Sequence, residues 1–352
     1  MMKIPALLMV FAVRLVAGPL DLRLPTENHH LFSDEPERFY MYVDRNFEGQ
    51  SSKPWEAGSF GYVRNAMRMG DQVLLTKFHE GIDISPIKRD AVGNPLDLVS
   101  SIAGGRVVYV SPLAGRSNYG KYVVVEHSWE NSSIFSLYAH LAEITCAPGD
   151  AVKAGSLLGR MGFTGAGINR TRAHLHLELA MMTSRHYDEW SKTNGLGVNF
   201  HGLFNGMNLI GSDVARFFLE HKANPEIKFS EFVLNSPAHF KVTIPYRKDI
   251  DFVKRHPWIV RPGSEAPTSW EISFTATGMP TTFTPSQRQV SAPALTGIRP
   301  SAIPHRHLTR NLVSGEGNSA VLTKSGLQLI SLLTDDFPTT APAPAPHDPR
   351  HP

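Results

Sequence analysis

Residues 173–179 read Ala-His-Leu-His-Leu-Glu-Leu, so that polar side chains and leucines occupy alternate positions. Alternation with a period of two is typical of a β-strand that has one face in the core and the other face open. The pattern therefore places His174, His176 and Glu178 on one face of a strand. Two imidazoles side by side on such a face are a candidate catalytic or metal-binding pair.

Similar short runs precede this strand and indicate that it belongs to a larger sheet. They are rich in β-branched and aromatic residues, are separated by glycines, and lie at 105–110, 122–126, 134–138 and 157–163. Strands at this spacing are typical of an antiparallel β domain. We therefore predict a mainly β fold class, followed by a mixed α/β C-terminal region of unknown fold.

Two further motifs in the β region carry groups that suit metal or acid–base chemistry. In His79-Glu-Gly-Ile-Asp83 the two ligand-type residues are four apart. The glycine and the β-branched neighbours favour an extended strand, in which an even offset puts both side chains on one face. In Leu-Tyr138-Ala-His140-Leu, Tyr138 and His140 are expected to point the same way by the same argument.

A second His-x-His pair in the chain lacks these features. His305 and His307 follow a proline and are not interleaved with apolar residues. We interpret this pair as part of a solvated loop.

Taken together, the motifs His-x-x-x-Asp, Tyr-x-His-Leu and His-x-His-hydrophobic-Glu resemble those of the M23 metallopeptidases, the lysostaphin/LytM-type peptidoglycan endopeptidases. The connecting segments resemble that family as well, at 60–61, 103–108, 118–127, 152–159 and 162–165. The similarity extends over roughly residues 59–182. It implies an antiparallel β-sheet groove of the LytM/lysostaphin type, in a zinc peptidase domain over residues 59–185.

The resemblance also implies a role for each polar residue of the motifs. His79, Asp83 and His176 are expected to bind one Zn²⁺, and two imidazoles with one carboxylate form an open, catalytic type of zinc site. Such a metal lowers the pKa of its bound water from 15.7 towards roughly 7. His140 and His174 would lie beside the metal, one of them moving a proton and the other donating to the oxyanion. The sequence does not assign these two roles between them.

Three neighbouring residues are secondary candidates. Glu178 is expected to orient a histidine by accepting a hydrogen bond from the ring nitrogen that does not bind the metal, as outer carboxylates commonly do in metal sites. Tyr138 and Tyr119 are expected to border the substrate groove. For each of them, an ordinary role in packing or at a solvated edge remains an alternative.

The two ends of the chain differ from the β region. Residues 1–18 have a positive start, a ten-residue apolar run and a small-residue end, which predicts a secretory signal peptide, with a buried N-terminal helix as the alternative. Residues 19–58 form an N-terminal extension. In some relatives such a segment can cover the groove, so latency is an open question, with His29–His30 as a blocking ligand or a solvated pair. Residues 338–352, rich in proline and alanine, are predicted to form a disordered tail.

The region between the peptidase domain and the tail carries no chemical signature. Residues 186–260 are predicted to be mixed and partly helical, with a helix over 212–220. Residues 261–337 are predicted to be an accessory, β-rich and loop-rich region. Within it, 261–310 is expected to be loose apart from a strand at 270–275, and 320–333 is expected to form a hairpin.

Composition excludes several protein classes. The chain has 352 residues, a net charge of +3 and 41% hydrophobic residues, which are values of an ordinary globular protein. The basic residues are dispersed, so no nucleic-acid partner is expected. A single cysteine excludes an intrachain disulfide. No segment reaches the roughly 20 apolar residues of a membrane-spanning helix, so no stable membrane insertion is expected after signal removal.

These observations lead to one functional hypothesis and one rival. The hypothesis is an exported, monomeric zinc endopeptidase in the periplasm, the extracellular space or the cell wall. It would hydrolyse the peptide cross-links or stems of bacterial peptidoglycan. The rival is a non-catalytic M23-like module that binds the cell wall or activates an amidase. The bond cleaved and the biological role are left open.

Overall fold

The computed structural model describes residues 19–338. The predicted signal peptide and the predicted tail from residue 339 onward lie outside the described residues. Antiparallel strands dominate the structure, which confirms the predicted mainly β fold class. Within residues 19–338, no helix is both long enough and apolar enough to cross a membrane.

The elements follow one another in a simple order. The N-terminal part contains α1 (Pro36–Phe39), β1 (Arg45–Phe47), β2 (Gln50–Ser52), β3 (Gly61–Met69), β4 (Gln72–His79), β5 (Ile82–Ile84) and β6 (Leu98–Ser100). The middle contains β7 (Gly105–Ser111), β8 (Tyr122–Trp129), β9 (Ser132–Ala139), β10 (Leu141–Ile144), β11 (Ala151–Val152), β12 (Leu157–Met161) and β13 (Leu175–Met182). The C-terminal part contains α2 (Tyr187–Thr193), β14 (Leu209–Ser212), α3 (Val214–Ala223), α4 (Phe229–Leu234), β15 (Phe240–Pro245), α5 (Asp251–Arg255), β16 (Ser269–Phe274), β17 (Pro280–Ser286), β18 (Ala294–Ile298), α6 (His305–Leu308), β19 (Val313–Ser314), β20 (Val321–Leu322) and α7 (Lys324–Thr334).

A seven-stranded antiparallel sheet forms the centre of the described structure, in the order β11-β7-β8-β9-β13-β14 with β5 also paired to β13. One edge of β13 pairs with β9. The other edge is shared, because β5 pairs with residues 175–177 and β14 with residues 179–182. This arrangement brings the short connection between β4 and β5 beside the strand that carries the His-x-His motif. Smaller sheets are formed by β10, β12 and β6 and by the hairpin of β3 and β4.

The two faces of β13 differ as the alternating sequence predicts. Leu175, Leu177 and Leu179 are fully buried in the main core. Burying a leucine side chain stabilises the fold by about 1.5–3 kcal/mol, so this face fixes the register of the strand. On the opposite face, His176 and Glu178 lie across from small or apolar residues of β9.

The C-terminal region packs directly on the central sheet. It contains a four-stranded antiparallel sheet in the order β17-β16-β15-β18. Trp129 at the end of β8 contacts Phe217 of α3 and Phe229 of α4, with ring centroids 6.1 and 5.8 Å apart. These residues belong to the same apolar core as the leucines of β13. The C-terminal elements therefore buttress the sheet that carries the polar motifs.

Some of the sequence-based predictions for the C-terminal region are confirmed and others are wrong. The strand predicted at 270–275 is confirmed as β16, and the helix predicted from Ser212 is confirmed as α3, which begins at Val214 after the N-cap Asp213. The prediction that the rest of 261–310 is loose is wrong, because β17 and β18 complete a sheet there.

The hairpin predicted over 320–333 is also wrong. Only β20 is extended, and residues 324–334 form the helix α7. The Oγ1 atom of Thr323 caps this helix by accepting from the N–H of Gly326. Leu329, Ile330 and Leu333 have the three- and four-residue spacing of a helix face, and this spacing outweighs the strand-like composition.

The second His-x-His pair is not in a solvated loop, which corrects the interpretation made from sequence. It lies in the short helix α6, and the His305 side chain is buried. The Nδ1 atom of His305 lies 3.4 Å from Nε2 of His239. Histidine burial here serves packing between α6 and the end of the neighbouring sheet.

A buried histidine in β8 should make folding sensitive to acid. His127 donates from Nδ1 to the carbonyl of Gly104 over 2.8 Å, and its Nε2 lies 2.7 Å from Oγ of Ser136. Burial lowers the pKa of His127 to about 4, whereas the unfolded chain has a pKa of about 6.5. Between these values the unfolded state binds more protons, so the free energy of unfolding falls as pH falls, by about 3 kcal/mol in total.

We expect His127→Gln to be less stable at pH 7 but to lose less stability between pH 6.5 and pH 4 than the parent protein. Urea denaturation at several pH values measures both effects. Parallel curves for variant and parent over this range would show that His127 is not the acid-sensitive group.

Candidate metal centre

Three residues of the predicted ligand set come from three adjacent backbone segments. His79 ends β4, Asp83 lies in β5, and His176 lies directly opposite Asp83 in the register of β5 and β13. The single strand predicted over 79–83 is interrupted between β4 and β5. At Gly81 a Cβ atom would lie 2.4 Å from the carbonyl oxygen of Leu177, so only glycine fits where this connection crosses β13.

The three side chains converge to a compact triangle. Nε2 of His79 lies 3.1 Å from Nδ1 of His176 and 3.1 Å from Oδ1 of Asp83. Nδ1 of His176 lies 3.0 Å from the same carboxylate oxygen. All three residues are at most 5% exposed, and they alone form a candidate metal-binding group among the described residues. Two imidazoles and one carboxylate at these separations fit a Zn²⁺ ion with an open fourth position.

Hydrogen bonds on the far side of each imidazole fix the nitrogen that faces the triangle. Nδ1 of His79 lies 2.8 Å from the carbonyl of Ser59, which can only accept, so Nδ1 carries the proton and Nε2 has the free lone pair. Nε2 of His176 lies 2.9 Å from Oε1 of Glu178, and the hydroxyl of Tyr119 donates to the same oxygen over 2.5 Å. Glu178 therefore contacts a histidine in the way the sequence predicts, and Tyr119 holds the glutamate.

The remaining two histidines lie next to the triangle. Nδ1 of His140 donates to the carbonyl of Thr164 over 2.9 Å, and Nδ1 of His174 donates to that of Arg172 over 2.6 Å. The two rings meet edge to face with centroids 4.8 Å apart, and Nε2 of His174 is 3.4 Å from Oδ1 of Asp83. Both histidines are thus held in the tautomer that leaves the Nε2 lone pair available.

Tyr138 does not share the face of His140, so the parity prediction for these two residues is wrong. Tyr138 is fully buried in the main core, opposite Leu177, and its hydroxyl accepts from the N–H of Ile102. The strand β9 ends at Ala139, and His140 has a positive φ of 64°. This left-handed residue turns the imidazole to the side opposite the one that a continued strand would give.

Electrostatics in the triangle favour an ionised carboxylate. Burial would raise the pKa of Asp83, but electrostatic interactions with His174, His79 and Arg64 hold it well below its usual range. Burial lowers the pKa of His79. For His176 burial opposes the charged form, yet hydrogen bonds to Asp83 and Glu178 raise its pKa to about 10.

Burial, followed by electrostatic interactions with His174 and His176, holds the pKa of His140 well below its usual range. Burial and the adjacent Glu178 carboxylate raise the pKa of Tyr119, which therefore remains a neutral hydrogen-bond donor.

Arg64 is a member of the centre that the sequence reasoning missed. It lies in β3, and its Nη2 atom donates to Oδ2 of Asp83 and lies 3.2 Å from Nε2 of His79. Its Nε atom donates to the carbonyl of Ala57 over 2.8 Å. The turn pair Gly70-Asp71 between two β-type runs was the available signal, because a hairpin there sets residues 61–64 beside His79.

The centre lies at the bottom of an open groove of about 730 Å³. Its walls include residues 43–46 of the N-terminal extension, residues 64–66 of β3 and residues 166–168 of the connection between β12 and β13. The extension therefore contributes to the groove wall. His29–His30 do not take part, because His29 lies at a different cavity and His30 contacts Ser33.

Comparisons with known proteins agree with this geometry. Residues 77–188 match peptidase family M23. A Pseudomonas aeruginosa protein described as a lipoprotein NlpD/LppB homolog is 33% identical over 122 residues, which are 35% of this chain and 36% of that protein. The chain thus spans about a third of the length of this curated relative.

Solved structures give further matches at low overall similarity. The catalytic domain of the antimicrobial peptidase lysostaphin from Staphylococcus simulans is 21% identical, with 46% of this chain and 89% of that domain covered and a TM-score of 0.28. A zinc-containing peptidase from Vibrio cholerae is 27% identical, with 40% and 36% covered and a TM-score of 0.25. The family match spans His79, Asp83, His140, His174 and His176, so all five side chains of the centre lie in the part of the chain that is similar to peptidase family M23.

Proposed function

We propose that this protein is an exported, zinc-dependent endopeptidase that hydrolyses peptide cross-links or stems of bacterial peptidoglycan. The observation that carries the proposal is the convergence of five side chains at the bottom of one groove. Three of them form the compact donor triangle, and the two others are histidines with an available Nε2 atom. Structural zinc sites are closed by four protein ligands, whereas this donor set has three.

In the proposed reaction, His79, Asp83 and His176 hold the metal ion. A bound Zn²⁺ polarises the scissile carbonyl and makes water a stronger acid. At Nε2, His140 or His174 accepts a proton of the attacking water as the C–O bond forms, and the same imidazole passes that proton to the leaving amine as the C–N bond breaks. The other histidine, when protonated, donates a hydrogen bond to the tetrahedral oxyanion.

Residues behind the donor triangle keep the proposed ligands in place. Glu178 accepts from His176 and thereby fixes the tautomer in which Nδ1 faces the metal site. Tyr119 fixes the glutamate in turn, and its ring also lies at the groove. Tyr138 supports the sheet from the core and takes no part in the proposed chemistry.

The size of the groove, the predicted signal peptide and the description of the relative support the proposed substrate and cellular location. A groove of about 730 Å³ accommodates a short extended peptide. Peptidoglycan lies outside the cytoplasmic membrane, which agrees with the predicted signal peptide. The curated relative is described as a lipoprotein, a class that is exported. We therefore propose peptidoglycan peptides as the partner, the periplasm or cell wall as the location, and a monomeric enzyme.

The rival hypothesis is a non-catalytic module that binds the cell wall or activates an amidase. Such a module needs neither the donor triangle nor two hydrogen-bonded histidines beside it. The complete set of five side chains therefore favours catalysis over this alternative.

Metal-dependent release of peptides from peptidoglycan tests the proposal. The chain beginning at residue 19 is incubated with purified peptidoglycan, before and after treatment with a chelator. We expect release of soluble peptides, loss of that release after chelation, and recovery when Zn²⁺ is added. Zinc binding without any release would support the binding or activator module, and release that resists chelation would contradict the metal-dependent mechanism.

A further inference from the structure

The guanidinium group of Arg64 occupies an unusual place for a cation, because it contacts two of the three residues proposed to bind Zn²⁺. Nη2 donates to Oδ2 of Asp83 and lies 3.2 Å from Nε2 of His79. The side chain is only 22% exposed. A positive group in direct contact with metal ligands normally opposes the binding of a second cation.

The contact between Arg64 and His79 involves the Nε2 lone pair that would coordinate the metal ion. Nδ1 of His79 carries its proton, because it donates to the carbonyl of Ser59. Nε2 is therefore the unprotonated nitrogen, and it has a single lone pair. That lone pair can accept from Nη2 of Arg64 or coordinate a metal ion, but not both.

Arg64 is held in this place by the backbone around it. Its Nε atom donates to the carbonyl of Ala57, which precedes β3 in a 3₁₀ turn. A register shift between Tyr62 and Arg64 interrupts the pairing of β3 with β4 just before Arg64. Such irregularities re-aim a side chain relative to a regular strand. Arg64 is therefore a preorganised donor and not a freely rotating surface residue.

We propose that Arg64 is a displaceable cation of the metal centre, which pairs with Asp83 and His79 in the metal-free protein and must leave His79 when Zn²⁺ binds. This inference rests on the proposed zinc-dependent function and adds a control of metal loading by the chain itself. In the metal-free state Arg64 balances the buried carboxylate of Asp83. Zinc affinity is consequently lower than the three ligands alone would provide.

Two opposing effects determine what removal of Arg64 does. Loss of its hydrogen bond to Asp83 loosens a ligand, and outer-shell losses of this kind weaken metal binding by about 10–100-fold. Removal of a unit charge in contact with two ligands abolishes a strong repulsion in a poorly hydrated site and frees the lone pair of His79. The structure favours the second effect, since Asp83 and His79 also contact His176, which keeps the triangle together.

Competition titrations with a chromophoric zinc chelator test this inference on the full chain. We expect Arg64→Leu to bind Zn²⁺ about tenfold more tightly than the parent, or better. Arg64→Lys keeps the charge but not the planar guanidinium, so its zinc affinity should lie closer to that of the parent than the affinity of Arg64→Leu does. The matched control is Arg45→Leu, because Arg45 lines the same groove and donates to the carbonyl of Val63. It should leave zinc affinity unchanged.

A second readout separates this role from a purely structural one. Without metal, Arg64→Leu should melt at a lower temperature than the parent, because Asp83 loses its charge partner. With saturating Zn²⁺ the variant should gain more in melting temperature than the parent does. Equal or weaker zinc binding by Arg64→Leu, in a parent protein that does bind zinc, would overturn the inference and leave the proposed function intact. Failure of both proteins to bind zinc would overturn both.

Discussion

Asp83→Asn is expected to lose bound zinc and to reduce peptidoglycan hydrolysis to the background rate. The substitution preserves the shape of the side chain but removes the negative charge at the centre of the donor triangle. Oδ1 of Asp83 lies within 3.4 Å of a nitrogen atom of His79, His174 and His176, so one oxygen organises the whole cluster. Since loss of an outer partner weakens metal binding by about 10–100-fold, loss of a direct ligand should cost at least about 100-fold.

Zinc content and hydrolysis are measured on the same preparations of Asp83→Asn. Asp44→Asn is the matched control, because Asp44 is an exposed carboxylate on the wall of the same groove. The control should keep its metal. An Asp83→Asn protein that still binds zinc with parental affinity would show that Asp83 is not a ligand.

His140→Ala and His174→Ala are expected to keep zinc and lose activity, each by about 10²–10⁴-fold. Both imidazoles lie beside the triangle with Nδ1 bonded to a backbone carbonyl, so each acts through Nε2. Removal of either should leave the three metal ligands in place. The double variant should be far less impaired than the product of the single losses, because the two groups act in one proton-transfer sequence.

The measurement combines zinc stoichiometry with the pH dependence of kcat/KM for each variant. His29→Ala is the control, since this exposed histidine belongs to the N-terminal extension and lies away from the groove. It should behave like the parent. Loss of zinc in His140→Ala or His174→Ala would instead identify that histidine as a ligand, and parental activity would remove it from the mechanism.

Much of the centre could be predicted from local sequence, and the reason is geometric. Alternation along a strand determines which side chains share a face; His176 and Glu178 lie in β13, which continues beyond them, and His174 directly precedes it. A pairing of Asp83 directly opposite His176 then completes the proposed ligand set. In this part of the fold, the alternation along β13 and the pairing of β5 with β13 place the same polar side chains together.

The failures arise where tertiary contacts override the local pattern. The alternation argument failed for Tyr138 and His140 because the strand ends between them. The N–H of His140 donates to the carbonyl of Tyr119, and its ring donates to that of Thr164, so distant segments set the positive φ of His140. No short sequence window contains these partners.

Arg64 was missed although the turn pair Gly70-Asp71 indicates its hairpin, because that turn does not show which side chain reaches Asp83. It approaches Asp83 through the pairing of β3 with β4 and through the bulge beside it, and both depend on the assembled hairpin. The helix α7 differs, because its apolar spacing was visible in the sequence and the β-rich composition of the region misdirected the prediction. The first error reflects missing tertiary information, and the second reflects a wrong choice between two local patterns.

The proposed activity of the groove is hydrolysis of a peptide bond of peptidoglycan. Mass spectrometry of cross-linked peptidoglycan fragments, before and after incubation with the zinc-loaded protein, tests it most directly. We expect pairs of products, with a new amino terminus on one and a new carboxyl terminus on the other, whose summed mass exceeds that of the parent fragment by one water. Unchanged fragments in the presence of a fully zinc-loaded protein would contradict it.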